Sequence, residues 1–360
     1  MGLLLADEVK RRIHQHILEG RLAPNQLLPT INEMAVEFNV SSKTVQKAVN
    51  ALREEGIIAS KRGVGLFIRP LELKRSRGRR IGLIHPNSPE YLKGKVYPAP
   101  IVERMAKDLE REGLTLVPFC ITDRMALIEA VAKASFSALA LFEIDNEALI
   151  FDFQRLRLPM VSVDYDACRH GISSVVFDNA YGMFQATKHL LEQGHRRIAF
   201  LRPLLRNSLN NNQSLDAVED IRRIGYCIAM QDAGLPVDIV ELEVNDEALR
   251  STTVDLLYRN PRTAAVCPSD HMAMLLSRNV TTLNAKIPDE ISIIGFGDFA
   301  VEFAPGRVLA SVKIDFPLMG AAAARLVTHA LQQHDGWNAK REVIPVSLAL
   351  HDSVGPPKRV

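Results

Sequence analysis

Apolar residues recur at helical spacing three times near the amino terminus: Leu5, Val9, Ile13 and Ile17; Ile31, Met34, Ala35 and Phe38; then Val45, Ala48, Val49 and Leu52. Thr30 stands where the second of these helices needs an N-cap, and Glu33 three residues on completes a capping box. Asn39 suits the left-handed residue that closes that helix. Ser41 or Ser42 can cap the next, which leaves a turn of about four residues between them. Gly56 ends the third helix. Ile57 and Ile58, with the run Lys61 to Phe67, then read as two short strands around a glycine-bearing turn. Cap, short turn, amphipathic second helix and hairpin arrive in the order of a winged helix-turn-helix.

From Ile81 the period changes. Apolar runs at 81–84, 114–117, 138–142, 160–163, 198–201, 264–266 and 291–294 are buried-strand candidates. Amphipathic helices are predicted near 99–112, 125–134, 147–155, 180–193, 217–233, 246–259 and 271–284. Strand and helix in alternation mean doubly wound parallel sheets, and so many strands suit two similar lobes better than one sheet. The expected fold class is therefore α/β: an N-terminal winged helix-turn-helix followed by a two-lobed domain. Ligands of such sheets sit beyond the carboxyl ends of the strands, which points to 86–88, 164–165, 269–270 and 297–298.

Charge separates the two halves. Residues 1–80 hold 15 Lys and Arg against 8 Asp and Glu, whereas the remainder holds 29 against 34. The cationic end is the one with the helix-turn-helix, so double-stranded DNA is the expected partner. The second helix of such a motif enters the major groove amino end first. Ser42, Lys43, Gln46, Lys47 and Asn50 are then its candidate contacts, and Lys61 with Arg62 would meet phosphate from the wing. The charged stretch 71–80 has no apolar periodicity and reads as an exposed linker. The apolar run 3–6 is too short for a signal peptide or membrane span, so the expectation is a cytoplasmic protein. Cys120, Cys168, Cys227 and Cys267 are scattered without paired or zinc-like spacing, as small core residues of a reducing compartment would be.

The first 70 residues resemble the amino-terminal domain of the GntR family of bacterial regulators. The match runs through Gly20 and Leu22, Leu28-Pro29-Thr30, Val40-Ser41, Thr44-Val45, Ala48, Leu52, Glu55-Gly56 and Gly63-Val64-Gly65. The resemblance implies DNA contacts from Thr30, Ser41, Ser42, Lys43, Thr44, Gln46, Lys47, Lys61, Arg62, Gly63 and Gly65. It also shows departures: Asn32, Ser42 and Gln46 stand where the family usually has arginine. Glutamine pairs bidentately with adenine where arginine favours guanine, so a half-site with an A·T-rich core is expected.

Residues 80–354 carry a second resemblance, to the effector-binding domain of the LacI/GalR family and the related periplasmic sugar-binding proteins. It rests on Asp178-Asn179 with Ala186-Thr187, Gly194-His195-Arg196-Arg197-Ile198, Arg222 with Gly225-Tyr226, Ser269-Asp270 with Met272-Ala273, Ile287 to Phe296 and Met319-Gly320. The combination is similar to arabinose-repressor-type regulators. It implies domains at 1–70, 71–80 (linker) and 81–354, with three crossovers between the lobes near 165, 297 and 315. It also implies an effector site at Ser88, Tyr97, Asp164, Tyr165, Arg222, Ser269 and Asp298. The binding aspartate that the family places directly after Gly-Phe is Gly297 here, with Asp298 one residue later. Asp178-Asn179 is read as a helix cap. An arginine fork and carboxylates can bond vicinal hydroxyls while tyrosine covers an apolar sugar face, so a sugar is the expected effector.

Enzymatic readings find little support. There is no phosphate-binding Gly-x-x-x-x-Gly-Lys loop and no Gly-x-Ser-x-Gly elbow, and His189 and His195 are six apart, which is not a metal-ligand spacing. No catalytic residue, metal or cofactor is expected. The sequence reads as a ligand-controlled DNA-binding regulator, most simply a repressor, working as a homodimer on a near-palindromic site. The alternative is a sugar-binding protein whose DNA reader is degenerate.

Overall fold

The computed structural model describes residues 2–18, 27–54, 57–61, 65–68, 80–85, 97–120, 124–204, 217–332 and 339–358. Gly56, Arg62, Gly63, Ser88 and all of the basic linker except Arg80 lie outside these residues, as does the side chain of Lys61.

The amino-terminal unit contains α1 (Gly2–Leu18), α2 (Ile31–Glu37), α3 (Ser42–Glu54) and an antiparallel pair, β1 (Ile58–Lys61) with β2 (Gly65–Ile68). The capping box forms as its sequence requires: Glu33 N donates to Thr30 Oγ1 and Thr30 N donates to Glu33 Oε2 at 2.7 Å. Asn39 takes the left-handed conformation at φ 54°. Ser41 caps α3, its Oγ accepting from Thr44 N at 3.1 Å. The amphipathic faces close on one core of Val9, Ile13, Met34, Phe38, Val45, Val49, Leu52 and Ile58.

The rest of the chain builds two six-stranded sheets. The first runs β4 (Thr115–Phe119), β3 (Arg80–Ile84), β5 (Ala138–Phe142), β6 (Met160–Val163), β7 (Ser173–Phe177) and β15 (Arg341–Ile344), all parallel. The second runs β9 (Ile239–Glu243), β8 (Ile198–Leu204), β10 (Ala264–Val266), β11 (Ser292–Gly297), β14 (Ala310–Ile314) and β16 (Val346–Ala349), with only β16 antiparallel. A small hairpin, β12 (Glu302–Ala304) with β13 (Arg307–Val308), lies between β11 and β14. Helices α4 (Ala99–Arg111), α5 (Arg124–Lys133) and α6 (Glu147–Gln154) belong to the first lobe. The second lobe has α7 (Asn179–Glu192), α8 (Ala217–Asp232), α9 (Asp246–Val254) and α10 (Asp270–Thr282), and α11 (Phe316–Gln332) returns to pack on α4.

The chain passes between the lobes at Asp178, Asp315 and Pro345. Two of the expected crossovers therefore move. After Asp164 the chain does not leave the first lobe but adds β7 to it, and after Gly297 it stays in the second lobe to form β14. The third passage is the β15–β16 turn. Two helix pairs depend on glycine. A Cβ at Gly225 would stand 2.0 Å from the Ala180 carbonyl oxygen, where α8 meets α7, and one at Gly320 would stand 2.3 Å from the Ile101 oxygen, where α11 meets α4.

Candidate functional site

Two surfaces carry chemistry. On α3 the side chains of Ser42, Lys43, Gln46, Lys47 and Asn50 are exposed, while Val45, Ala48, Val49 and Leu52 are buried beneath them. The outward row is held in place before any partner arrives. Ser42 Oγ donates to Asn32 Oδ1 at 3.0 Å, Gln46 Nε2 donates to Asn50 Oδ1 at 3.0 Å, and Ser41 Oγ lies 2.8 Å from Thr44 Oγ1. Each amide group of Gln46 has hydrogen-bonding capacity left, since Nε2 carries a second N–H and Oε1 is an acceptor; this is the donor and acceptor pair that reads an adenine edge. Gly65 has φ 122°, a conformation glycine adopts without strain, at the return of the wing.

The second surface lies between the lobes, beyond the carboxyl ends of the strands. Three chain ends of the first lobe meet there: His85 follows β3, Glu143 follows β5 and Asp164 follows β6. Glu143 and Asp164 both hold positive φ, 52° and 60°, as does Asp298 after β11 at 57°. Left-handed residues of this kind gather where the surrounding structure fixes a functional side chain. Tyr97 Oη lies 2.6 Å from Glu143 Oε1 and 2.7 Å from Asp164 Oδ2, and His85 Nε2 lies 2.9 Å from Glu143 Oε2.

One phenolic proton cannot donate to two carboxylates at once, so the arrangement is complete only when one carboxyl carries a proton. Asp164 is that group. Burial, and then the charge of Glu143, push its pKa up to about 7, against the Tyr97 hydrogen bond and the positive charge of Arg222. Its Oδ1 is buried and has no hydrogen-bond partner among the described residues.

Arg222 reaches the same space from α8 of the second lobe. Its Cζ sits 3.8 Å over the Phe296 ring, Nε donates to Asn179 Oδ1 at 2.8 Å, and Nη1 donates to the Pro268 carbonyl at 2.7 Å. Burial lowers its pKa, opposed first by Asp164. Three anchors thus fix the guanidinium plane, and Nη1 and Nη2 carry further N–H groups beyond the two these bonds use. Aromatic rings wall the space: Phe316 is 5.6 Å from both Tyr97 and Phe299, lying parallel to the latter. Beside the Asp178 passage a cavity of about 400 Å³ is lined by Asp164, Tyr165, Arg169, Asn179 and Arg341, among others.

The residues expected from the sequence divide in two. Tyr97, Asp164 and Arg222 come together. Ser269 caps α10, accepting from Met272 N, next to the carbonyl that holds Arg222. Tyr165 packs in the first lobe, its hydroxyl accepting from Arg169 at 3.1 Å. The Asp298 carboxylate lies 3.7 Å from Lys313 Nζ and 3.5 Å from His351 Nε2. The neighbouring buried carboxylate is instead Asp270, which accepts from Ser311 Oγ at 2.6 Å and from Phe299 N at 2.8 Å, and whose pKa burial raises. Asp178 caps α7, but Asn179, read as part of that cap, is buried and holds Arg222. Glu143, His85, Phe299 and Phe316 were not foreseen. Glu143 stands directly after a strand, the same position that singled out Asp164.

Residues 5–68 match the family of bacterial regulatory proteins of the gntR type, and residues 187–354 match a periplasmic binding protein-like domain. The chain is 25% identical over 345 residues, 91% of either protein, to the arabinose metabolism transcriptional repressor of Geobacillus stearothermophilus. The chain joins a GntR-family DNA-binding domain to a LacI-type effector domain. A repressor of the same description from Halalkalibacterium halodurans is 24% identical over 349 residues, covering 90% of this chain and 88% of that one. Among solved structures, the regulator CelR in complex with cellobiose superposes with a TM-score of 0.68 at 21% identity over 91% of this chain and all of its own. The lac repressor dimer bound to operator superposes with a TM-score of 0.62 at 20% identity over 78% and 95%. These two share the fold. Relatives of this regulator are transcriptional repressors, and no helix among the described residues is long and apolar enough to cross a membrane.

Proposed function

We propose that this regulator is a repressor whose hold on DNA is set by a sugar bound between its lobes. Residues 1–70 act as reader, 71–80 as tether and 81–354 as sensor. The observation that carries this is the pairing of Tyr97, Glu143 and Asp164 on one lobe with Arg222 on the other. Carboxyl groups and a fixed guanidinium suit vicinal hydroxyls, and Phe299, Phe316 and Tyr97 offer faces for the apolar side of a sugar ring. A ligand bonded to both lobes binds the closed arrangement better than the open one, and that difference alone drives the switch. The arabinose repressors as relatives and the sugar in the CelR complex favour a non-catalytic, cytoplasmic role.

Two readers are required. One reader makes few phosphate contacts and binds weakly at physiological salt, whereas two in a homodimer gain by effective concentration on a near-palindromic site. Sequencing of genomic fragments retained by the purified protein would yield the operator, and pentoses and disaccharides would then be titrated against the complex. Arg222→Ala should bind operator with wild-type affinity and lose the sugar response. Release of the variant by the same sugar concentration would remove Arg222 from the site.

A further inference from the structure

The stretch of helix α6 from Ile150 to Phe153 is buried on every side. Ile150 and Phe153 face inward and join the first lobe's core with Ile84, Leu139 and Leu141. Phe151, Asp152 and Arg155 form the opposite face at helical spacing, and a helix lying on a sheet normally leaves that face to water. Here Phe151 is 5% exposed and Asp152 2%, and the Arg155 side chain, 4.0 Å from the Asp152 carboxylate, is 8% exposed. What covers Phe151 belongs to the other domain. Its ring is a member of the winged-helix core, in one continuous apolar cluster with Val9 and Ile13 of α1, Met34 and Phe38 of the α2 segment, and Val45, Val49 and Leu52 of α3.

We propose that the outer face of α6 is the seat on which the sensor holds its own DNA-binding domain, with Phe151 as the plug. The seat is wired to the cleft. Only Ile144, Asp145 and Asn146 separate Glu143, which accepts from Tyr97, from the first residue of α6, and Asn146 caps that helix with its side chain accepting from Leu149 N at 3.0 Å. A second connection runs from Tyr165 through Arg169, whose Nη2 lies 2.5 Å from Glu147 Oε1 at the start of α6. A ligand that displaces Tyr97 from Glu143 therefore acts on the strand end from which the seat hangs. The reader is gripped or freed as a body, in addition to any pull through the basic tether. This transmission rests on the sugar reading above; the docking does not.

The test uses the full chain with a rigid fluorophore on a non-canonical amino acid at position 36, where Val36 is 83% exposed and clear of the seat. In time-resolved anisotropy the docked reader should decay with the slow tumbling of the whole protein. Phe151→Asp should add a fast phase from a freed domain, and Phe151→Leu should not. Sensor melting should be unchanged in both variants, because Phe151 is outside the lobe's own core. A fast phase already present in the wild type, or an unaltered decay in Phe151→Asp, would overturn the docking. With operator and sugar, Phe151→Asp should bind each and lose at least half of the fold-change in DNA affinity that sugar produces in the wild type; a full response would overturn the transmission. If sugar has no effect on the wild type, the sugar reading and the transmission fall together, while the anisotropy still decides the docking.

Discussion

Replacing Asp164 with asparagine isolates the proton that the cleft requires. In an unfolded chain this carboxyl titrates at 3.8, and in the folded protein at about 7. The folded state therefore binds this proton more tightly, so the contribution of Asp164 to stability is fully present below pH 3.8 and is lost as pH rises towards 7. At about 1.4 kcal/mol per pKa unit the full loss is about 4 kcal/mol, of which about 2–3 kcal/mol falls between pH 5 and pH 8. Asparagine keeps the shape, tolerates the left-handed backbone and does not titrate. Urea unfolding of both proteins at intervals across this range gives the difference at each pH, in which the contributions of other titrating groups cancel. Asp164→Asn should gain on the wild type by about 2–3 kcal/mol from pH 5 to pH 8. A difference that stays flat over those three units would refute the account of a protonated carboxyl shared with Tyr97.

Other perturbations test other parts of the structure. Gly225→Ala places a methyl against the Ala180 carbonyl, which is backbone and cannot rotate aside; a loss of about 1–3 kcal/mol in thermal unfolding is expected despite alanine's better helix propensity. Thr30→Ala removes one half of the capping box, and α2 amides should exchange with deuterium about fivefold faster, as a cost of about 1 kcal/mol implies. Gln46→Arg should shift the base selected opposite that position from adenine to guanine, by about 1–3 kcal/mol, in oligonucleotide selection; an unchanged preference would show that Gln46 does not reach a base.

The reader was legible because its signals are local. Thr30 with Glu33, Asn39 and Ser41 each do within a few residues what their side chains prefer in isolation. The sensor's helices were legible too, as amphipathic stripes between apolar runs. What escaped depends on partners far along the chain. Strand β7 opens with Ser173 and Ser174, which look like a turn, yet both are buried: Ser174 Oγ accepts from Ala167 N and Ser173 Oγ accepts from Lys340 N. Missing that strand moved the first crossover back to 165. Helix α11 carries a run of four alanines with hardly a polar face to set a period, and β15 and β16 are too short to announce themselves. Asn179 looked like a cap because Asp178 beside it is one; its bond to Arg222, 43 positions away, has no local trace.

All three passages between the lobes leave from one side. β7 and β15 are neighbours at the edge of the first sheet, and β14 and β16 are neighbours at the edge of the second. The sensor is thus bound along a spine, like the covers of a book, and displacement grows with distance from it. β3, which receives the chain from the reader, lies three strands from β7. At about 4.8 Å per strand that is a lever of about 14 Å, so a closure of about 10° would carry the point of attachment by between 2 and 3 Å. A ligand that draws the pages together by the width of a hydrogen bond would move the reader by a comparable step.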